Sequence, residues 1–380
     1  MNHDNLGAGY AATALYEMVV ARDSGHWSKA HDAAKTLSSQ PINGHPTYAS
    51  LYRGVPAVAY VLHIAGHPAY ARALAQLDAE VVAIVADRLA AAHRRMDNRT
   101  PPHLREYDLI SGLTGLGVYL LHRGRDKALK PVLRYLVKLL TEPLTVNGHK
   151  VPGWWAATGP RDTPDTGQLA HGHANFGIAH GVAGPLALLA LARRADYIVA
   201  GQDDALAEGI THLTAWVQPL AGGGTGWPEC LSLNAYLQGP QPGAAPSRPS
   251  WCYGTPGIAR ALQLAALALH DDTARRLAEY TALQAITDPR QTDQITDTSL
   301  CHGWAGLLLT ADRIAADAAS PGLTQVLPAL YDRLTTEMAR RQTTEHNGLL
   351  TGHVGVLLTL HTLTTVRPVD SGWETCLLLD

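Results

Sequence analysis

The chain has 380 residues, 46% of them apolar and 17% charged, with a formal net charge of −3. This supplies material for a large core and offers no electrostatic case for nucleic acid. No window reaches the roughly eighteen consecutive apolar residues that a membrane span needs. The amino end, MNHDNLGAGYAATALYEMVV, has no basic segment ahead of a long apolar stretch, which predicts a soluble, cytoplasmic protein without a signal peptide. Apolar residues then recur three and four apart through 67–95 and around 126–141, 186–217, 257–284 and 322–341, the period of helices packed on one face. Cys230, Cys252, Cys301 and Cys376 do not read as a disulfide framework in so long a chain, and TCLLLD around Cys376 does not fit a prenylation box.

Glycine and proline weaken helix interiors, so the 35 glycines and 23 prolines must gather at helix ends. They do so in a recurring form: LYRGVPAVAYVL (51–62), LISGLTGLGVYLL (109–121), IAHGVAGPLALLAL (178–191), WCYGTPGIARAL (251–262), LCHGWAGLLL (300–309) and LLTGHVGVLLTL (349–360). The leading glycines, Gly54, Gly112, Gly181, Gly254, Gly303 and Gly352, stand 58, 69, 73, 49 and 49 residues apart. Each interval holds one helix out and another back. The first copy has Ala57 in place of the second glycine, and GYAATAL from Gly9 reads as a weaker copy still. The expected fold is all-α: an α/α toroid of about seven helical hairpins, forming one domain over 1–380. Small residues at the corners would let neighbouring helix starts approach closely. An open solenoid of the same hairpins is the competing architecture, and the irregular intervals favour the closed ring.

Aligned on the first glycine, the preceding position holds Arg53, Ser111, His180, Tyr253, His302 and Thr351, and the one before it Tyr52, Ile110, Ala179, Cys252, Cys301 and Leu350. Two cysteines share one repeat position and two histidines the next, so a ring would bring them to one mouth. Thiolate and imidazole donors suit Zn²⁺, and three protein ligands leave a position open. Cys252, Cys301 and His302 form the natural triplet, although a single cysteine is more often a packing residue. His171 and His173 in AHGHANFGIAH lack carboxylate or Cys partners and read as loop residues, and His346 and His353 as surface or core.

WCYGTPG, CHGWAG, NFGIAHGVAG and YDLISGLTG, in that register from about 51 to 360, resemble the signature blocks of the lanthionine synthetase C-like family, the lanthipeptide cyclases. The resemblance implies a toroid of seven inner and seven outer helices, with one zinc held by Cys252, Cys301 and His302. It also implies functional roles for Asp108, His180, Arg248 and Tyr253. The implied activity is closure of thioether rings in a dehydrated precursor peptide, leader plus core. Cys thiols add across dehydroalanine or dehydrobutyrine that a separate enzyme or domain has made. The resemblance covers essentially the whole chain, which implies the stand-alone type without a fused dehydratase, working alongside a separate dehydratase and a transporter.

The thiolate is the nucleophile, and metal coordination deprotonates a thiol outright. The enolate left after addition needs a proton at Cα, which a group near pKa 6.5 supplies efficiently at neutral pH. His180 is the candidate acid. Asp108 would orient it or favour its charged form. Arg248, in the loop GPQPGAAPSRPS (239–250), could hold the enolate oxygen or a substrate carbonyl. Two other readings compete: addition of glutathione or another small thiol to dehydroamino acids in proteins, and a non-catalytic peptide-binding module with a structural zinc. A fourth protein ligand such as Cys230 would exclude the catalytic reading. Paired inward carboxylates, as a glycosidase needs, are absent from the corners.

Overall fold

The computed structural model describes residues 3–159, 167–340, 347–364 and 371–380, so His346 lies outside the described residues. In chain order, α1 (Tyr10–Ser24) runs inside and α2 (Ser28–Leu37) outside, followed by α3 (Val55–Ala65) inside and α4 (Ala71–Asp97) outside. The one-turn α5 (Leu104–Tyr107) leads to α6 (Leu113–His122) and α7 (Asp126–Thr141), and then come α8 (Ala183–Arg194) and α9 (Gln202–Ala215). A short α10 (Leu233–Gln238) precedes α11 (Thr255–Leu269) and α12 (Asp272–Thr287). After α13 (Pro289–Thr292) come α14 (Trp304–Asp317), α15 (Gly322–Arg340) and α16 (His353–Thr364).

Each of the seven inner helices, α1, α3, α6, α8, α11, α14 and α16, packs on the next, and α16 packs back on α1. The ring is therefore closed, as expected from the sequence. Inner helices are buried nearly all round: in α3 only His63 keeps partial exposure, and in α8 the run Ala183–Ala190 is wholly buried. Outer α7 instead buries one broad face through Leu129, Val132, Leu133, Leu136 and Leu140. Two periodic stretches resolve into helix pairs. The left-handed residue Asp196 (φ 63°) and Gly201 separate α8 from α9; His270 (φ 57°) ends α11, and Asp271 then caps α12 by accepting from the N–H groups of Thr273 and Ala274.

The corners show why they are rich in glycine. A Cβ on Gly115, Gly184, Gly257, Gly306 or Gly355 would collide with the carbonyl oxygen of Leu109, Ile178, Trp251, Leu300 or Leu349, in each case the residue six positions earlier. The glycines first make room for the turn of their own corner. Neighbouring corners come second, with Leu51 beside Gly115, Ile178 beside Gly257 and Leu300 beside Gly355. This shifts the emphasis of the sequence reading, in which the small residues chiefly served contact between helices.

Backbone hydrogen bonds run from corner to corner. Leu109 N–H donates to Ala179 O (3.1 Å), Ala179 to Cys252 O (3.2 Å), Cys252 to Cys301 O (3.2 Å) and Cys301 to Leu350 O (2.8 Å). Leu350 donates to Gly7 O (3.1 Å) and Leu6 to Tyr52 O (2.9 Å). Seven corners thus share one belt, and Leu6–Gly7 provides the copy that GYAATAL hinted at.

Three small antiparallel pairs sit in the connections: β1 (Leu144–Val146) with β2 (His149–Val151), β3 (His173–Asn175) with β6 (Cys230–Ser232), and β4 (Gln218–Pro219) with β5 (Thr225–Gly226). Asn147 (φ 49°) and Gly148 (φ 80°) make the turn between β1 and β2, the two-residue chemistry that hairpins favour. Beside these strands, Trp154, Phe176, Trp216 and Tyr236 enclose His212. Its Nε2 is buried with no hydrogen-bond partner among the described residues, and burial pushes the imidazole down to about 4. The unfolded chain therefore binds a proton that the folded chain refuses. Stability from this group is complete above pH 6.5, falls as pH drops towards 4 and levels off below. We expect this group to contribute a loss of about 2 kcal/mol between pH 7 and pH 5 in urea denaturation, and His212→Phe should remove that part of the slope.

After α16 the expected seventh outer helix does not follow among the described residues. A 3₁₀ turn, Trp373–Leu377, enters the ring instead, and Trp373, Cys376, Leu377, Leu378 and Leu379 are all at most 1% exposed. Tyr52 and Tyr60 donate to the carbonyls of Cys376 and Trp373 (both 2.7 Å), Trp251 Nε1 to that of Leu377 (2.9 Å), and Arg260 Nη2 to that of Leu379 (2.8 Å). Because α3 and α11 are not neighbours, a segment tied to both lies inside the ring.

Candidate active site

Cys252 and Cys301 occupy adjacent corners and are joined through the belt. Donor atoms of Cys252, Cys301 and His302 lie within 4.8 Å of one another, and no other group of three such donors occurs among the described residues. Cys252 is buried and the other two are half-buried. Cys301 shares its proton with Cys252, and with help from His302 and Ser250 this holds the Cys252 thiol well below the usual thiol range, against the upward push of burial. The same sharing, with burial, pushes Cys301 up. Asp297, then Cys252, pushes His302 up to about 9. Three donors that otherwise hold shared protons fit a divalent cation that displaces them, and two sulfurs with one nitrogen match Zn²⁺. Cys230 lies outside the group; it sits in β6, and burial pushes its thiol up to about 12.

His180 Nδ1 lies 2.6 Å from Asp108 Oδ2. Asp108 is 1% exposed, and its Oδ1 accepts the Ser111 N–H at 2.6 Å. The aspartate combines a local turn bond with the bond across corners. Tyr253, directly after Cys252, stacks on His180 with ring centroids 5.9 Å apart. Burial pushes its phenol up, and Asn175 hydrogen-bonds to it. Arg248 is half-buried, and its positive charge is felt at Cys301 and Glu229. The named residues thus gather around one mouth, with Arg248 in the surrounding loop.

One expectation needs correction. His173 is no loop residue: it is fully buried in β3, with Nδ1 2.6 Å from the Thr158 carbonyl and Nε2 3.3 Å from Asn175 Nδ2. Its pairing with β6 is a contact between distant segments. His171, in contrast, is an exposed turn residue. His353 begins α16 half-buried, away from the donors.

Sequence reasoning missed Asn175 and Asp297. Asn175 links buried His173 to Tyr253, and Asp297 Oδ2 lies 3.2 Å from His302 Nε2. A signal existed. The position six before the leading glycine holds Glu106, Asn175, Arg248 and Asp297, so extending the corner alignment would have placed them together. Glu106 is engaged elsewhere, by Arg95 at 2.6 Å.

A closed α/α ring with a two-cysteine, one-histidine donor set at two adjoining corners defines a toroid with residues able to hold a metal ion at that point. The family model for lanthionine synthetase C-like proteins matches residues 1–378, and the chain belongs to that family. The nisin biosynthesis protein NisC of Lactococcus lactis subsp. lactis is 26% identical over 266 residues, covering 68% of this chain and 60% of that protein. The alignment thus spans less than two thirds of that relative's length. A solved structure of nisin cyclase superposes with a TM-score of 0.80 at 21% identity, covering 100% of this chain and 92% of the other, a likeness of fold. Among the described residues no helix is long and apolar enough to cross a membrane.

Proposed function

We propose that residues 1–380 act as one zinc-dependent lanthipeptide cyclase domain. It adds Cys thiols of a dehydrated precursor peptide to dehydroalanine or dehydrobutyrine, forming lanthionine or methyllanthionine. The observation that carries this reading is the convergence of Cys252, Cys301 and His302 with the His180–Asp108 pair, in a chain of this family. Zinc bound by those three residues supplies a Lewis acid that keeps a substrate thiol ionised at pH values where a free thiol is mostly protonated.

The remaining chemistry belongs to the protein. Asp108 holds His180 by Nδ1, which assigns proton transfer with the substrate to Nε2. When sulfur bonds to the β-carbon, the alkene electron pair moves into an enolate. His180 delivers a proton to Cα, replacing the one the thiol lost, so the peptide keeps its mass. Tyr253, stacked on the imidazole, keeps the ring aligned, and Arg248 offers its charge to the enolate oxygen or a neighbouring carbonyl. The setting we propose is the cytoplasm, with a separate dehydratase and a transporter as partners.

Incubation with a dehydrated, Cys-containing precursor tests this. Alkylatable thiols should disappear at constant peptide mass. Thiols that persist, while glutathione adds to a dehydrated protein in a parallel incubation, would overturn the cyclase reading in favour of small-thiol addition. His180→Asn should keep its zinc and close rings roughly 10²- to 10⁴-fold more slowly; unchanged turnover removes His180 from the mechanism.

A further inference from the structure

We infer that Asp297 is a positioning residue for the metal centre, its carboxylate holding the His302 imidazole by Nε2 and thereby setting how tightly the centre takes zinc. The inference rests on the reading that Cys252, Cys301 and His302 bind that metal.

Three observations carry it. His302 Nε2 lies 3.2 Å from Asp297 Oδ2, and a donor nitrogen of the same ring lies within 4.8 Å of the Cys252 and Cys301 sulfurs. With Nε2 engaged by the carboxylate, Nδ1 is the nitrogen assigned to the metal. Asp297 is itself fixed: Oδ1 accepts the Ser299 N–H at 2.7 Å, and its carbonyl accepts the N–H of Trp304, the first residue of α14, at 3.2 Å. Finally, a Cβ on Gly303 would collide with Asp297 Oδ1. It would also collide with Ser299 N, so this glycine leaves room for the turn that holds Asp297 Oδ1 in place.

The physical reason is general. A histidine ligand must present one nitrogen deprotonated and correctly aimed, and a carboxylate accepting the other N–H fixes the tautomer, orients the ring and raises its basicity. Asp297 also stands at the corner position that Arg248 holds in the preceding corner. The two neighbouring corners thus place opposite charges at one repeat position, the carboxylate against the histidine and the guanidinium near enough for its charge to be felt at Cys301.

The test is zinc affinity, measured by competition with a chromophoric chelator on wild type, Asp297→Asn, Asp297→Ala and Asp297→Glu. Circular dichroism and melting of the zinc-free proteins run alongside. We expect the Asn and Ala variants to bind zinc roughly 10- to 100-fold more weakly with near-unchanged zinc-free melting, and Glu to recover most of the loss. If Asp297→Asn binds within about twofold of wild type, or if only zinc-free melting falls, Asp297 is a turn-forming residue and the inference fails. Wild type that takes up no zinc overturns the metal reading itself, a separate outcome. Should Asp297→Ala not fold, Asp297→Asn decides, because it keeps the side-chain shape and the Ser299 contact.

Discussion

Cys301→Ala is expected to lose zinc and ring closure together while the ring of helices stays intact. The corner tolerates the change because the belt uses the backbone of Cys301, its N–H donating to Leu350 O and its carbonyl accepting from Cys252, and neither bond needs the sulfur. The side chain is half-buried and small, so truncation leaves little cavity. The donor set, however, falls from three to two. Loss of a direct ligand should cost more than the roughly 10- to 100-fold typical of a residue behind a ligand. The measurements are metal content after dialysis, the zinc-induced rise in melting temperature and thiol disappearance in a dehydrated precursor. Wild type should show all three and Cys301→Ala none, with equal melting of the two zinc-free proteins. A variant that closes rings at the wild-type rate without zinc would refute the proposed chemistry.

Removal of residues 372–380 is expected to abolish folding. Trp373, Cys376, Leu377, Leu378 and Leu379 fill the inside of the ring at 1% exposure or less. Burying a large apolar side chain contributes about 1.5–3 kcal/mol, so the five together approach the roughly 5–15 kcal/mol by which a domain is stable at all. Deletion also strands the donors that tie the segment down: Tyr52, Tyr60, Trp251 Nε1 and Arg260, the last only 1% exposed. Buried donors without partners add their own penalty. The truncated chain should be insoluble, or expanded in size-exclusion chromatography with little helical signal. A compact, helical product with wild-type urea resistance would show that the inner helices can close on themselves.

The two expectations differ in how far they were legible beforehand. The donor set could be read because Cys252 and Cys301 share one position, and His302 holds the next, in a motif whose glycines mark the register. The inserted segment could not. Trp373 to Leu379 carries no copy of the motif and is too short to show a period, so its apolar residues name no partner until the ring exists. Asp108 and His180 were legible as residues, but their 2.6 Å contact spans 72 positions and depends on adjacent corners meeting. Asp297 and Asn175 stood in the same register and went unread, because what they do lies in side chains directed at a neighbouring corner. His173 was misread for a similar reason: its strand partner lies 59 residues away, at Ser232.

By itself the sequence determined the helical class, the recurrence of the corners and which cysteines and histidine the corners bring together. Those follow from local rules: helix periodicity, the intolerance of helix interiors for glycine, and a turn that in five corners leaves no room for a Cβ. Tertiary structure alone decided which helices close the ring, α16 on α1, that residues 373–379 fill it with no seventh outer helix among the described residues, and that Asp297 meets His302. These depend on which surfaces meet once all seven corners share a belt, and contacts between distant segments leave no period in the chain.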